Sequence, residues 1–176
     1  YHGVQTPRRK EILKNNFKFL EFKNSKDWEN LVLTLWSKAK FREERYASLE
    51  VLADKRADEF QNIHALPLYE RLVVEGAWWD QVDGLADQIR EILKKAPKEM
   101  KSIMRQCAVC DNMWKRRVDI LSQLKFKKET DLKHLYFCIE KNMSSKEFFI
   151  QKAIGWALRE YAWCNPKEVQ RYVQEN

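Results

Sequence analysis

Phe149-Ile150-Gln151-Lys152-Ala153-Ile154-Gly155-Trp156-Ala157-Leu158-Arg159-Glu160-Tyr161 is the stretch whose reading decides the fold class. At helical spacing Phe149, Ala153 and Ala157 form one stripe, with Ile150, Ile154 and Tyr161 beside it. A helix that is apolar round most of its circumference belongs inside an array of helices. Its remaining side carries Lys152, Trp156, Arg159 and Trp163, one continuous stripe at helical offsets. That side is expected to face a concave surface; a buried Trp156 flanked by cations that snorkel to solvent is the other way to satisfy the same spacing.

Working outward, the same helical period recurs along the chain, and no segment shows the alternation of a strand. Thr6 and Pro7 read as N-cap and first helical residue of a segment carrying Ile12, Leu13, Phe17 and Leu20. A second helix carries Trp28, Leu31, Leu35 and Trp36, and a third, from about Phe41 to Ala57, turns Tyr46, Leu49 and Leu52 inward. The next, from about His64, stops at Gly76 as a C-cap glycine would require. Helices then follow from Trp78 to Leu93, from Pro97 to about Cys107, from an Asp111 cap to Leu124, over residues 130–142, from a Ser144–Glu147 capping box to near Trp163, and from Pro166. Short connections make neighbouring helices antiparallel pairs. Trp79, Trp114 and Phe149 stand 35 residues apart, each near the start of a pair's second helix. Such a period marks an α-solenoid of the HEAT or TPR kind. Counting from Phe41, roughly four pairs fit, preceded by two helices of an incomplete repeat. The prediction is an all-α superhelix of HEAT-like helical repeats, curved around a basic concave groove.

The 176 residues suffice for one domain with its own core. With 44% hydrophobic and 34% charged residues and only four glycines and four prolines, the composition is that of a helical globular chain and excludes a disordered one. A net charge of +7 and a pI near 9.2 favour an anionic partner, nucleic acid before an acidic membrane. No apolar run approaches the roughly 18 residues of a membrane span, and no signal-peptide pattern opens the chain. Four scattered cysteines are too few for a disulfide scaffold and fit a reducing cytoplasm. Starting at Tyr1 without a methionine, the chain reads as a fragment or trimmed product.

Against this basic background Trp78-Trp79-Asp80-Gln81-Val82-Asp83 opens an acidic helix. Trp79 and Asp83, four apart, share a face, with Asp80 three residues before Asp83. An aromatic face beside a carboxylate suits a cation, although core tryptophans above a dipole-favoured N-terminal turn would give the same pattern. Arg117 and Lys152 are 35 apart, so they project alike from neighbouring second helices; with Arg159 they would line the groove, with Arg8 and Arg9 at one end. These cations suit a phosphate backbone. A carboxylate on the same line repels DNA and is expected there only if it answers a positive charge, which points to a cationic substrate.

At Trp78-Trp79-Asp-x-x-Asp83, at Asp111-Asn112-x-Trp114-x-x-Arg117 and at Ser144-Ser-Lys-Glu-Phe-Phe-Ile-Gln-Lys-Ala-Ile-Gly-Trp156-x-Leu-Arg-Glu-Tyr, the chain closely resembles the AlkD-like DNA alkylation repair family, and Gln5-Thr-Pro-x-Arg fits that family's early motif. The resemblance covers nearly the whole chain. It implies a HEAT-like superhelix that excises cationic alkylpurines, 3-methyladenine and 7-methylguanine, from duplex DNA without metal or cofactor. It also implies that Asp83 is the catalytic carboxylate, with Asp80 as the rival, and that Trp79 and Trp156 face the lesion. Arg117 and Arg159 would hold the DNA backbone, with Lys152, Gln5, Arg8 and Arg9 as further contacts. Relatives usually carry a helical repeat before Gln-Thr-Pro and residues beyond Tyr172-Val173, so residues 1–176 are expected to be one domain lacking both. The expected setting is a bacterial cytoplasm and its nucleoid, the expected state a monomer with no obligate protein partner and no membrane. A non-catalytic DNA-binding HEAT protein of the same family, or a solenoid that holds an acidic protein, are the rival functions; base release separates the first and salt-dependent duplex binding the second.

Cys107-x-x-Cys110 has the spacing of half a zinc site, with His134 and Cys138 as conceivable partners. Lacking a second such pair, the sequence is assigned no metal, and with no strand before the pair no redox role. His2, His64 and His134 lie near no nucleophile in sequence, so no triad is expected.

Overall fold

The computed structural model describes residues 2–176, and these are helical throughout, with no strand among them. Ten α-helices are present: α1 Thr6–Phe17, α2 Ser25–Lys38, α3 Arg42–Leu52, α4 Leu66–Gly76, α5 Trp79–Lys95, α6 Pro97–Cys107, α7 Met113–Leu121, α8 Leu132–Asn142, α9 Phe148–Ala162 and α10 Pro166–Glu175. None is long and apolar enough to cross a membrane. The chain divides into two compact units, Tyr1–Leu68 and Tyr69–Asn176.

In the first unit α2 and α3 form the central pair. Trp28, Val32 and Trp36 are buried on α2, and Val51 and Leu52 on α3. Leu31, Leu35, Tyr46 and Leu49, expected inward, are half-buried, because the contact face is turned toward the Trp28 stripe. Two side-chain bonds cross the pair: the Trp28 indole N–H donates to the Val51 carbonyl at 3.1 Å, and the Ser48 hydroxyl to the Val32 carbonyl at 2.7 Å. Pairing therefore starts with α2 and not at Phe41. The third helix is also shorter than expected: it stops at Leu52, and Lys55–Ala57 is a separate 3-10 turn. Helix α1 starts one residue early, with Gln5 in the cap position and Thr6 already helical. None of its side chains is buried, and Ile12 is 40% exposed, because among the described residues α1 packs chiefly against α3 alone. Its C-terminal carbonyls are met by Arg56, whose guanidinium donates to Phe17 and Leu20 at 2.8 Å while pairing with Asp54.

Since the Val51 carbonyl also accepts from the Asp54 N–H at 3.2 Å, loss of the indole donor leaves it satisfied. The bond itself is therefore worth only about 0.5–1.5 kcal/mol, and Trp28→Phe, which also shrinks a fully buried ring, is expected to lower stability by about 2–3 kcal/mol. Urea denaturation midpoints measure it; a loss no larger than that of the bond would mean that ring packing adds nothing to the pair.

In the second unit α5, α7 and α9 lie in succession, α7 packing against both others, with α6 and α8 against α7 and α10 against α9. This is the order that the 35-residue period predicts for second helices, and it agrees with a helical-repeat superhelix. The core is built from Val82, Leu85, Ala86 and Ile89 of α5, Val118 and Leu121 of α7, and Ile150, Ala153 and Ala157 of α9. Those positions recur at three- and four-residue steps, so each helix buries one stripe. Pro97 and Pro166 begin α6 and α10 as expected, since proline's fixed φ suits a first turn. Several ends differ. Gly76 is the last residue of α4, and Ala77 takes the positive φ of 26°. Asn112, not Asp111, caps α7, its side-chain oxygen accepting from Trp114 and Lys115 N–H at 3.0 and 3.1 Å. Ser144–Glu147 forms no capping box; Glu147 stands at the cap without a side-chain bond.

Candidate lesion site on the fifth, seventh and ninth helices

Helices α5, α7 and α9 carry the residues singled out above, apart from Gln5, Arg8 and Arg9. Trp79 begins α5 and is 46% exposed; Asp83, one turn on, is half-buried on the same face. From α7, Arg117 reaches Asp83 with two parallel bonds, Nε to Oδ1 at 2.8 Å and Nη2 to Oδ2 at 2.9 Å. Its third bond, Nη1 to the Phe149 carbonyl at 2.6 Å, ties α7 to the first turn of α9. One guanidinium thus joins all three helices. Bidentate pairing fixes the carboxylate plane as well as its position. The Arg117 side chain is 5% exposed and that of Asp83 17%, so water screens the pair weakly while Asp83 keeps some contact with solvent.

Aromatic rings pack around Phe149, beside Arg117. Phe149 packs against Trp114 at 5.2 Å between centroids and, edge-on, against Trp78 at 5.6 Å; Phe148 adds a further edge contact at 5.3 Å. The Arg117 guanidinium lies 5.8 Å from the Phe149 ring centre. Trp114 is buried, whereas Trp78 and Phe148 are 43% and 59% exposed, so the cage opens toward solvent on the aromatic side. Trp156 is half-buried two turns along α9 from Phe149, about 10 Å further and only about 20° round the helix from it, so it adjoins the Phe149 stripe and does not lie on a separate side as expected. Open rings beside a carboxylate can hold a cation, and an exposed ring can stack on a base.

The remaining cations differ in setting. Lys152 is exposed, with its ammonium 5.3 Å from the Phe148 ring centre, and Arg159 is exposed two turns further along α9. In the first unit Arg8 pairs with Glu11 on the surface, Arg9 lies over the Tyr46 ring at 4.0 Å, and Gln5 is exposed. Asp80 accepts from the Gln81 N–H at 2.8 Å in the first turn of α5.

The structure therefore brings Asp83 and Arg117 together and sets Trp79 beside them. Sequence reasoning missed the roles of Phe149's carbonyl and of the Trp78–Trp114 cage. The signal was there: Asp83 and Arg117 are 34 apart, one short of the repeat, as neighbours on adjacent second helices should be.

Over residues 1–176 the chain matches the family described as "DNA alkylation repair enzyme". It is also similar to a solved structure described as a predicted DNA alkylation repair enzyme from Enterococcus faecalis, with 26% identity and a TM-score of 0.84 over 99% of this chain and 80% of that one. No curated protein matches its sequence.

Proposed function

Because the chain belongs to the DNA alkylation repair enzyme family, we propose that it is a DNA glycosylase that releases cationic N3- and N7-alkylated purines from duplex DNA. The observation that carries this reading is the bidentate hold of Arg117 on a partly exposed Asp83, one turn from the exposed Trp79. An alkylated purine is already positive, so its glycosidic bond breaks without a general acid. The bonding pair leaves with the base, which departs neutral, and positive charge develops at the sugar C1′. Asp83 stabilises that oxocarbenium ion electrostatically, and the faces of Trp79 and Trp156 support it. Water then bonds to C1′ and loses a proton, with Asp83 the nearest acceptor in this scheme, to give an abasic site.

Arg117 has two readings in this scheme. A buried guanidinium committed to Asp83 and a carbonyl acts by positioning the carboxylate, in place of the backbone contact that the family resemblance implies for it. Lys152 and Arg159, exposed on α9, are the backbone contacts of the second unit, and Gln5, Arg8 and Arg9 those of the first. Arg159→Ala is expected to weaken duplex binding whatever the sequence and to flatten the slope of log K against log salt by about one. An unchanged slope would remove Arg159 from the interface.

A second reading is favoured by one fact: both Asp83 oxygens already accept from Arg117. A carboxylate so engaged also fits a DNA-binding protein that performs no chemistry. Chromatography of free base released from 7-methylguanine-containing duplex separates the two. Release supports the glycosylase; tight, salt-sensitive binding without release supports the binder.

A further inference from the structure

Away from the aromatic cage, three side chains of different chemistry meet in the core of the second unit. Asp119 comes from α7, and His134 and Cys138, four residues apart on one face, from α8. His134 Nε2 lies 2.9 Å from Asp119 Oδ1, Cys138 Sγ lies 2.7 Å from Asp119 Oδ2, and Sγ and Nε2 are 3.4 Å apart. None of the three residues is more than 4% exposed. Nothing in the proposed base release uses them.

The arrangement is a poor nucleophile. A relay needs the thiol and the carboxylate on opposite ring nitrogens, yet here both face Nε2. Burial and the neighbouring carboxylate push the Cys138 thiol up, and no substrate reaches it.

As a ligand set it is coherent. Thiolate, imidazole and carboxylate are the three protein donors that Zn2+ takes, and a tetrahedral ion at bonds of about 2.0–2.3 Å spaces its donors roughly 3.3–3.6 Å apart. The separation between Cys138 and His134 already has that value. One carboxylate oxygen need only move back by several tenths of an ångström to join them. Charge argues the same way: carboxylate, thiolate and neutral imidazole sum to two negative charges, which a divalent cation cancels, so the buried unit becomes neutral. His134 also lines a cavity of about 530 Å3, together with Met104, Gln123 and Asp131.

We propose that Asp119, His134 and Cys138 form a Zn2+ site that ties α7 to α8. Cys107 on α6 lies outside this cluster, whose three ligand atoms are within 4.8 Å of one another. Cys110, its partner in the Cys-x-x-Cys motif, instead turns its thiol to the Asn112 carbonyl at 3.5 Å. The motif that looked like half a zinc site is therefore not the chelating pair; the His134–Cys138 pair is.

The test is a Co2+ titration of the full chain after metal removal. One equivalent is expected to give tetrahedral ligand-field bands and a thiolate-to-cobalt charge-transfer band, both displaced by Zn2+. The charge-transfer band should persist in Cys110→Ser and vanish in Cys138→Ser. His134→Gln, which keeps the thiol, should weaken binding by at least about tenfold. Wild-type protein that takes up no stoichiometric metal, or binds it without a thiolate band, overturns the proposal, and this arm depends on no variant's folding. A band that survives Cys138→Ser and is lost in Cys107→Ser/Cys110→Ser overturns it as well, by moving the site to the Cys-x-x-Cys pair.

Discussion

Asparagine in place of Asp83 is expected to slow single-turnover release of 7-methylguanine by roughly 10²-fold or more, the scale of losing one preorganised electrostatic group from a transition state. The substitution is nearly isosteric. It keeps one oxygen that can accept from Arg117, turns the other acceptor into an NH2 group, and removes the charge that the developing oxocarbenium ion would feel. Duplex affinity should hold or rise, because a carboxylate that repels phosphates has gone. Two controls separate chemistry from collapse. Arg117 is buried and would lose one of its two bonds to the carboxylate, so thermal unfolding of the variant must be measured beside its activity. Asp80→Asn should leave release within a few-fold of wild type, since its carboxylate serves the first turn of α5. Unchanged release by Asp83→Asn would sink the assignment of the carboxylate, and loss in Asp80→Asn alone would transfer the role to Asp80.

Much of this arrangement was legible in the sequence where the cause is local. Proline's fixed φ marked the starts of α6 and α10. The four-residue step from Trp79 to Asp83 and the 35-residue recurrence from Trp79 to Phe149 placed the site on second helices. Local competition spoiled the caps. Asp111 and Asn112 are adjacent and both able to cap, and only the backbone path decides that Asn112 meets the Trp114 and Lys115 N–H groups. Gly76 looked like a helix stop, yet it is buried inside the last turn and the strained position passed to Ala77. Amphipathicity alone also overstated α1, whose apolar stripe is covered by too little else to be buried. The partner of Arg117 was hidden for a further reason. The spacing of Arg117 made it a groove cation like Lys152, but the destination of a long side chain depends on what stands opposite in space. Opposite it stands Asp83, and a bidentate pair of low exposure outcompetes solvent. The same limit hid Asp119 from a search for metal ligands that considered only histidine and cysteine.

That difference between a groove cation and a positioning cation sets the second large effect. Arg117→Met is expected to lower base release by about 10–10²-fold, because a carboxylate that loses its two fixed donors drifts from the reacting sugar, and misplacement by about 1 Å can cost 10²-fold. Stability should fall as well, toward the lower end of the roughly 3–5 kcal/mol for breaking a buried pair, since the partly exposed Asp83 can be rehydrated. Magnitude alone does not identify the role, because a lost phosphate contact also slows an enzyme. Additivity does. If Arg117 acts through Asp83, the Asp83→Asn/Arg117→Met double variant should be no slower than Asp83→Asn itself, as expected for residues that work as one unit. If Arg117 grips the backbone independently, the two losses should multiply, duplex binding should weaken in Arg117→Met, and its salt slope should flatten by about one. Single-turnover rates and salt-dependent binding on the four proteins of the cycle decide between them. The three-way connection of Asp83, Arg117 and the Phe149 carbonyl favours the first outcome: a side chain that joins α5, α7 and α9 has more to lose by leaving its partners than a phosphate at the protein surface can return.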